Sequence, residues 1–203
     1  NVITGSTNRT IFMVFQPFNT SGYNAIIAQK NPDDTEDFYF GVEPNYYLRV
    51  KGGNREFSTQ GSIDVFDIAT VYLNGSNQSD VYARKNGTES SVNSASDSAI
   101  NTQGNMLIGK FDQTGDFLEG DIAEIIIYDR NLSDNEKIKV ESYLSKKYGI
   151  SNVDGILYKD TGTRQSPQLD LSAVGNIADS SISWVETLNG ETITIETSVD
   201  GGS

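Results

Sequence analysis

The chain reads as an all-β protein: an antiparallel sandwich or jelly roll carrying one helix, followed by the start of a second β unit. Three observations predict this. Short β-type runs recur at close spacing between turn residues, only one segment carries helical signals at both ends, and the hydrophobic fraction is just 36%. The balance is made up largely by Gly, Ser, Thr and Asn, the residues of turns between many short strands.

The first run, Thr10 to Phe15, is apolar at successive positions from Ile11 to Phe15, so it predicts a central strand buried on both faces and closed by Pro17. Further strands are expected at Ala25 to Ala28, Phe38 to Val42, Tyr46 to Val50, Ile68 to Leu73, Val81 to Lys85, Met106 to Gly109 and Gly120 to Tyr128. Turn chemistry separates them. Glu43-Pro44-Asn45 joins two strands, Lys51-Gly52-Gly53-Asn54 ends the second of these, and Asn86-Gly87 predicts a tight hairpin because both residues tolerate positive φ.

The helix is expected from Asp134 to Tyr148. Ser133-Asp134-Asn135-Glu136 is a capping-box pattern, Ile138, Val140, Tyr143 and Leu144 form an apolar stripe, Lys146 and Lys147 suit the negative end of the helix dipole, and Gly149 suits a left-handed closing residue. The helix should pack on the outside or edge of the sandwich. Residues 1–150 therefore form the first domain, 151–155 a polar linker, and 156–203 an incomplete second β-sandwich whose strands Ile182 to Val185 and Thr192 to Thr197 flank the turn Leu188-Asn189-Gly190. The Ser-rich stretch Ser90 to Ser98 is expected to be a flexible surface loop. The chain opens without Met and closes on a turn signal, so it reads as an excerpt of a longer protein.

Net charge is −13, which disfavours nucleic acid and anionic membrane partners. With no Cys and no His, thiol chemistry, Ser-His-Asp triads and the usual zinc sites are excluded. Carboxylates, hydroxyls, amides, Lys, Arg and Tyr remain for any chemistry.

The run Gly120-Asp121-Ile122-Ala123-Glu124-Ile125-Ile126-Ile127-Tyr128-Asp129-Arg130-Asn131-Leu132-Ser133, followed by Glu136 and by Tyr143-Leu144-Ser145-Lys146-Lys147-Tyr148-Gly149-Ile150, resembles the closing strand and helix of laminin-G-like domains, members of the concanavalin A-like lectin/glucanase superfamily. Arg9 to Phe15 is similar to an early strand of that jelly roll, and Met106 to Lys110 to the strand before the closing one. The resemblance covers about residues 1–150 and implies a concanavalin A-like two-sheet antiparallel jelly roll with one C-terminal capped helix. It also implies a further strand ahead of Thr10, expected to be missing from this excerpt. The segment Asp160 to Leu171, with Ser181 to Trp184 and Thr192 to Val199, resembles a β-sandwich of phage tail proteins.

Such a fold hosts lectins, glycosidases and scaffolds alike, so function must be argued at the site. Glu119-Gly120-Asp121-Ile122-Ala123-Glu124 resembles the E-x-D-x-x-E pattern that carries nucleophile, assisting Asp and acid/base in the glucanase branch. Strand alternation argues against catalysis: Glu119 and Asp121 share a face, while Glu124 points away unless a bulge intervenes. Tyr46, Tyr47 and Arg49 could offer a sugar-binding surface, aromatic faces and a guanidinium being suited to sugars, although Tyr46 and Tyr47 face opposite ways along a strand. Tyr23, in the loop Thr20 to Asn24, is a comparable candidate. Calcium is the cation that acidic loops would take, in Asn31 to Asp37 or, preferably, through Asp112 and Asp116. N-x-S/T sequons at Asn8, Asn19, Asn74, Asn77, Asn86 and Asn131 match what abundant Asn, Ser and Thr produce by chance.

The expected function is a non-enzymatic virion tail or surface module that binds carbohydrate or mediates contacts between subunits, working as a symmetric homo-oligomer in the full-length protein. The alternatives are a secreted bacterial adhesin or carbohydrate-binding module of a larger enzyme, and a glycoside hydrolase using Glu119 and Glu124. The expected location is the virion or the extracellular surface.

Overall fold

A computed structural model of the chain describes residues 3–30, 37–50, 53–94, 99–111 and 116–151. The expected second β unit at 156–203, most of the 151–155 linker, Asp112 and most of the acidic loop from Asn31 lie outside the described residues. The elements run β1 (Arg9–Pro17), β2 (Asn24–Gln29), β3 (Phe38–Glu43), β4 (Asn45–Val50), β5 (Gly53–Gln60), β6 (Asp67–Leu73), a single 3-10 turn (Gln78–Asp80), β7 (Val81–Lys85), β8 (Thr88–Glu89), β9 (Val92–Ser94), β10 (Met106–Ile108), β11 (Gly120–Tyr128) and α1 (Asp134–Tyr148).

Two antiparallel sheets result. The five-stranded sheet has the order β11-β1-β6-β7-β8 and the six-stranded sheet β10-β2-β3-β4-β5-β9. β1 lies between β11 and β6, which explains its unbroken apolar run: Ile11, Met13 and Phe15 enter the core between the sheets, and Phe12 and Val14 enter a second core on the other face. The inter-sheet core is completed by Ile26, Ile27, Phe38, Phe40, Val42, Phe57, Val71 and Leu73 among others. Asn86 and Gly87 both take positive φ, 47° and 85°, and turn β7 into β8 as the dipeptide predicts.

α1 covers the outer face of the five-stranded sheet, where Leu132, Leu144 and Ile150 pack with Phe12, Val14 and Ile68. Thr10 secures the approach to the helix: its hydroxyl donates to the Arg130 carbonyl at 3.0 Å and accepts from the Leu132 amide at 3.0 Å. Gly149 closes the helix at φ 65°, its amide donating to the Ser145 carbonyl. At the start, the Glu136 carboxylate accepts from the Ser133 amide at 2.9 Å and the Ser133 hydroxyl at 2.8 Å, and takes a bidentate grip from Arg130 at 2.7 and 3.0 Å.

These donors, Arg130 foremost, lower the Glu136 carboxyl from 4.5 to about 2. A depressed folded-state value means that the stabilisation is present above the unfolded value and is lost as the pH falls through the folded one. Glu136→Gln is therefore expected to lower the unfolding midpoint at pH 7, with the gap to wild type closing as the pH approaches about 2 in acid titrations followed by circular dichroism.

The helix face differs from the expected stripe. Tyr143 is 50% exposed, while Lys137 and Glu141 are buried beside Leu144. The sheet beneath supplies the reason. Glu141 accepts from the Thr70 hydroxyl at 2.7 Å and meets Arg84 Nε at 3.2 Å, and Lys137 lies 3.6 Å over the Tyr72 ring with Asp134 at 2.9 Å. Polar partners on β6 and β7 thus admit charged residues that an apolar pattern would place outside.

Two strands depart from the sequence expectation. β5 is polar apart from Phe57, so hydropathy did not mark it; it begins at Gly53 and pairs with β4. Part of the expected flexible Ser-rich loop is ordered: Val92–Ser94 form β9 on the edge of β5, and the Ser90 hydroxyl meets that of Thr59 at 2.7 Å. Among the described residues, no helix is long and apolar enough to cross a membrane.

Candidate functional site

The antiparallel order brings one set of loops to the same end of the sandwich: the β1–β2 loop at 18–23, the β5–β6 loop at 61–66 and the described ends of the β10–β11 connection, 109–111 and 116–119. Hydrogen bonds join them into a rim. The Phe18 amide donates to the Glu119 carbonyl at 2.7 Å, the Asp64 amide to the Pro17 carbonyl at 2.9 Å, and the Leu118 amide to the Gly109 carbonyl at 2.8 Å. Three aromatic rings stand out from this rim: Phe18 at 49%, Phe117 at 52% and Tyr23 at 36% exposure.

Asn19 and Asn24 hold the loop that carries Tyr23. The Asn19 side-chain oxygen accepts from the Ser21 amide at 3.1 Å, forming an Asx-type turn. Its amide nitrogen donates to the Glu119 carboxylate, tying the β1–β2 loop to the β10–β11 loop. Asn24 is buried and donates to the carbonyls of Ser21 at 3.3 Å and Gly22 at 3.2 Å. Gly22 takes φ 73°, so the turn before Tyr23 needs its freedom.

Beneath Tyr23 runs an aromatic row on the outer face of the six-stranded sheet. Tyr23 meets Tyr47 edge-on at 5.7 Å between centroids, Tyr47 meets Tyr39 at 5.4 Å, and Tyr39 meets Phe111 at 4.6 Å, with Lys30 5.0 Å over the last ring. The Tyr39 and Tyr47 hydroxyls lie 2.6 Å apart. Gly41 makes room for this row: a Cβ there would lie 2.4 Å from the Asn24 carbonyl oxygen and 2.9 Å from the Tyr47 hydroxyl. Burial, the neighbouring Tyr39 and the carboxylates Asp116 and Glu43 together raise the Tyr47 phenol far above its ordinary range, so it stays protonated.

The expected ligand residues separate accordingly. Tyr23 and Tyr47 come together, and Arg49 stands on the same strand as Tyr47, opposite Tyr39 in register. Tyr47 is only 2% exposed, so it supports Tyr23 from below and does not itself face solvent. Tyr46 goes to the inter-sheet core, fully buried between Phe15 at 6.0 Å and Phe40 at 5.6 Å; strand alternation sends it away from the rim, and it is no ligand contact. Asp116 takes φ 56° in the β10–β11 loop, at a position where an Asp tolerates the left-handed region. Among the described residues no group of three or more His, Cys, Asp or Glu side chains is placed to hold a metal ion.

The Glu119 and Glu124 pair is rearranged by a β-bulge. The β1–β11 register shifts so that Val14 opposes Glu124 and Phe15 opposes Ile122. The extra residue resets the alternation: Ile122 and Ile125 both enter the inter-sheet core, while Glu124 comes to the helix side with Ile126 and Tyr128. There Glu124 accepts from Lys147 at 3.1 Å, and this contact contributes to raising the lysine above its ordinary value. Glu119 is bound to Asn19 at the rim. Phe18, Asn24 and Phe117 were not singled out from sequence, and Asn19 only as an N-x-S/T match. The one local signal was Asn19 followed two residues on by Ser21, an Asx-turn pattern beside a Phe that lies outside any apolar alternation.

No family model and no curated protein sequence matches the chain. Among solved structures, the CBM40 module of the Ruminococcus gnavus IT-sialidase superposes with TM-score 0.52 at 12% identity, over 68% of this chain and 84% of that one. The same module bound to α2,3-sialyllactose gives 0.51 at 12% identity, over 66% and 83%. Domains LG4–5 of the mouse laminin α1 chain give 0.47 at 11% identity, over 64% of this chain and 37% of that one. This chain therefore spans little more than a third of the length of that laminin fragment. The likeness is one of fold: the described residues form a two-sheet antiparallel jelly roll like that of the CBM40 module.

Proposed function

We propose that this domain is a non-enzymatic carbohydrate-binding module of an extracellular surface or virion tail protein, with its site at the rim of Phe18, Tyr23 and Phe117. The half-exposed aromatics beside an amide and a carboxylate carry the reading. Ring faces suit the C–H faces of a sugar, while Asn19 and Glu119 offer donors and acceptors to its hydroxyls. Tyr23 is held at its angle by Tyr47, so part of the ordering cost of binding is met in the free protein. That a structure of the same fold, the Ruminococcus gnavus CBM40 module, contains α2,3-sialyllactose supports carbohydrate as the broad ligand class, without bearing on the charge of its terminus.

The separate engagement of Glu119 by Asn19 and of Glu124 by Lys147 favours binding over hydrolysis, because a retaining glycosidase needs its two carboxyls facing one cleft about 5–5.5 Å apart. The virion setting, and a symmetric homo-oligomer with it, rests on the sequence resemblance of 160–199 alone.

A printed glycan array probed with the full chain tests the reading, alongside hydrolysis assays of the bound glycans with wild type and with Glu119→Gln and Glu124→Gln. The expected result is glycan capture without turnover in any of the three. Hydrolysis by wild type that either substitution abolishes would replace the binding module with an enzyme.

A further inference from the structure

We infer that the rim takes glycans with neutral, hydroxyl-bearing termini and rejects those ending in a carboxylate or sulfate; this rests on the carbohydrate-binding reading and narrows its ligand class. At this end of the sandwich stand the carboxylates Glu43, Asp64, Asp116, Glu119 and Asp121. Glu119 and Asp121 are exposed, and Glu119 is bound to Asn19, which follows Phe18 in the β1–β2 loop. The lysines of the same end are Lys85 and Lys110; Lys85 is already bound to Asp67 at 3.0 Å, to the Gln60 carbonyl at 2.9 Å and to the Ser62 hydroxyl at 2.7 Å, which leaves Lys110 outnumbered by these five carboxylates.

Recognition of a sugar carboxylate favours a guanidinium fork aimed at it. Among arginines with described side chains, each is engaged elsewhere. Arg9 is buried and donates to Gln29 at 2.9 Å and to the Gly5 carbonyl at 2.6 Å. Arg55 lies over the Phe57 and Tyr82 rings, Arg84 faces Glu141, and Arg130 grips Glu136. Carboxylates, by contrast, are acceptors for the O–H groups of a neutral sugar, and such charge-assisted bonds are shorter and stronger than neutral ones. The same charges that hold a neutral hydroxyl therefore repel an anionic terminus. Asp116 and Glu43 also act on the Tyr47 phenol directly beneath Tyr23, so the negative potential extends into the floor of the site.

An array carrying neutral glycans, each beside its α2,3-sialylated counterpart, and probed with the full chain at low and high salt tests this. The expected result is capture of neutral glycans, with the sialylated counterparts weaker by about tenfold or more at low salt and the difference shrinking as salt screens the rim. Asp64→Asn combined with Asp121→Asn should narrow the discrimination several-fold, and Asn tolerates the positive φ of 58° at position 64. Sialylated glycans bound as well as or better than their neutral counterparts would overturn the inference and leave the binding module standing. Capture of no glycan of either kind would overturn the binding module and the inference with it.

Discussion

Arg84→Met is expected to cost roughly 3–5 kcal/mol at pH 7, because it leaves the Glu141 carboxylate buried beneath α1 without its guanidinium partner. Glu141 is fully buried, with Arg84 Nε at 3.2 Å and the Thr70 hydroxyl at 2.7 Å. Desolvation already raises its carboxyl above the ordinary value, against the opposing pull of Thr70, Arg84 and Lys137. Removing Arg84 raises it further. A carboxyl whose folded-state value lies above its unfolded one stabilises the fold in its protonated form, and that contribution is lost as the pH rises through the folded value. The deficit of Arg84→Met relative to wild type is therefore larger at pH 7 than at pH 4.5, as denaturant unfolding at both values would read. Pairing it with Glu141→Leu should recover most of the loss, since removing both charges eliminates the unpaired one. A deficit below about 1 kcal/mol at pH 7 would mean that the pair contributes no more than a surface contact.

Phe12→Ala is expected to cost about 3–5 kcal/mol, the range for deleting a buried aromatic ring. Phe12 is fully buried on the central strand and meets Tyr128 edge-on at 6.1 Å, so its removal opens a cavity between the five-stranded sheet and α1. Strands lie on both sides of β1, which limits how far the surroundings can collapse into the space. Phe12→Leu should lose much less. Chemical denaturation of the two variants measures the difference, and a small loss for Phe12→Ala would show that α1 is only loosely seated on the sheet.

Much of this architecture was legible in the residues. The double-sided apolar run of β1, the Asn86-Gly87 hairpin and the capped helix from Asp134 to Tyr148 each follow from local chemistry, and the structure contains all of them. β5 was not legible because its single buried aromatic, Phe57, leaves no alternation to read. The buried face of α1 was legible in Val140 and Leu144, which pack on the sheet, but not in Lys137 and Glu141, which are held by Thr70, Tyr72 and Arg84, far away in the chain. At the site, alternation correctly separated Tyr46 from Tyr47, but loop geometry decided the rest. Phe18 and Phe117 belong to different loops, and the bonds that set them on one rim, Phe18 to Glu119 and Asn19 to Glu119, span about a hundred residues of sequence. The bulge in β11 was foreseeable only as a condition: its insertion opposite Val14 and Phe15 follows from packing Ile122 and Ile125 into one core.

The central claim is that glycan binding takes place on Tyr23 at the rim. Calorimetric titration of wild type, Tyr23→Ala and Tyr46→Phe with the neutral glycan that gives the strongest array signal tests it most directly. Tyr46 is buried in the core and Tyr23 stands at the rim over Tyr47, so the account predicts a loss of more than about tenfold in affinity for Tyr23→Ala, with the protein still folded at the assay temperature, and wild-type affinity for Tyr46→Phe. Wild-type affinity in Tyr23→Ala would contradict it.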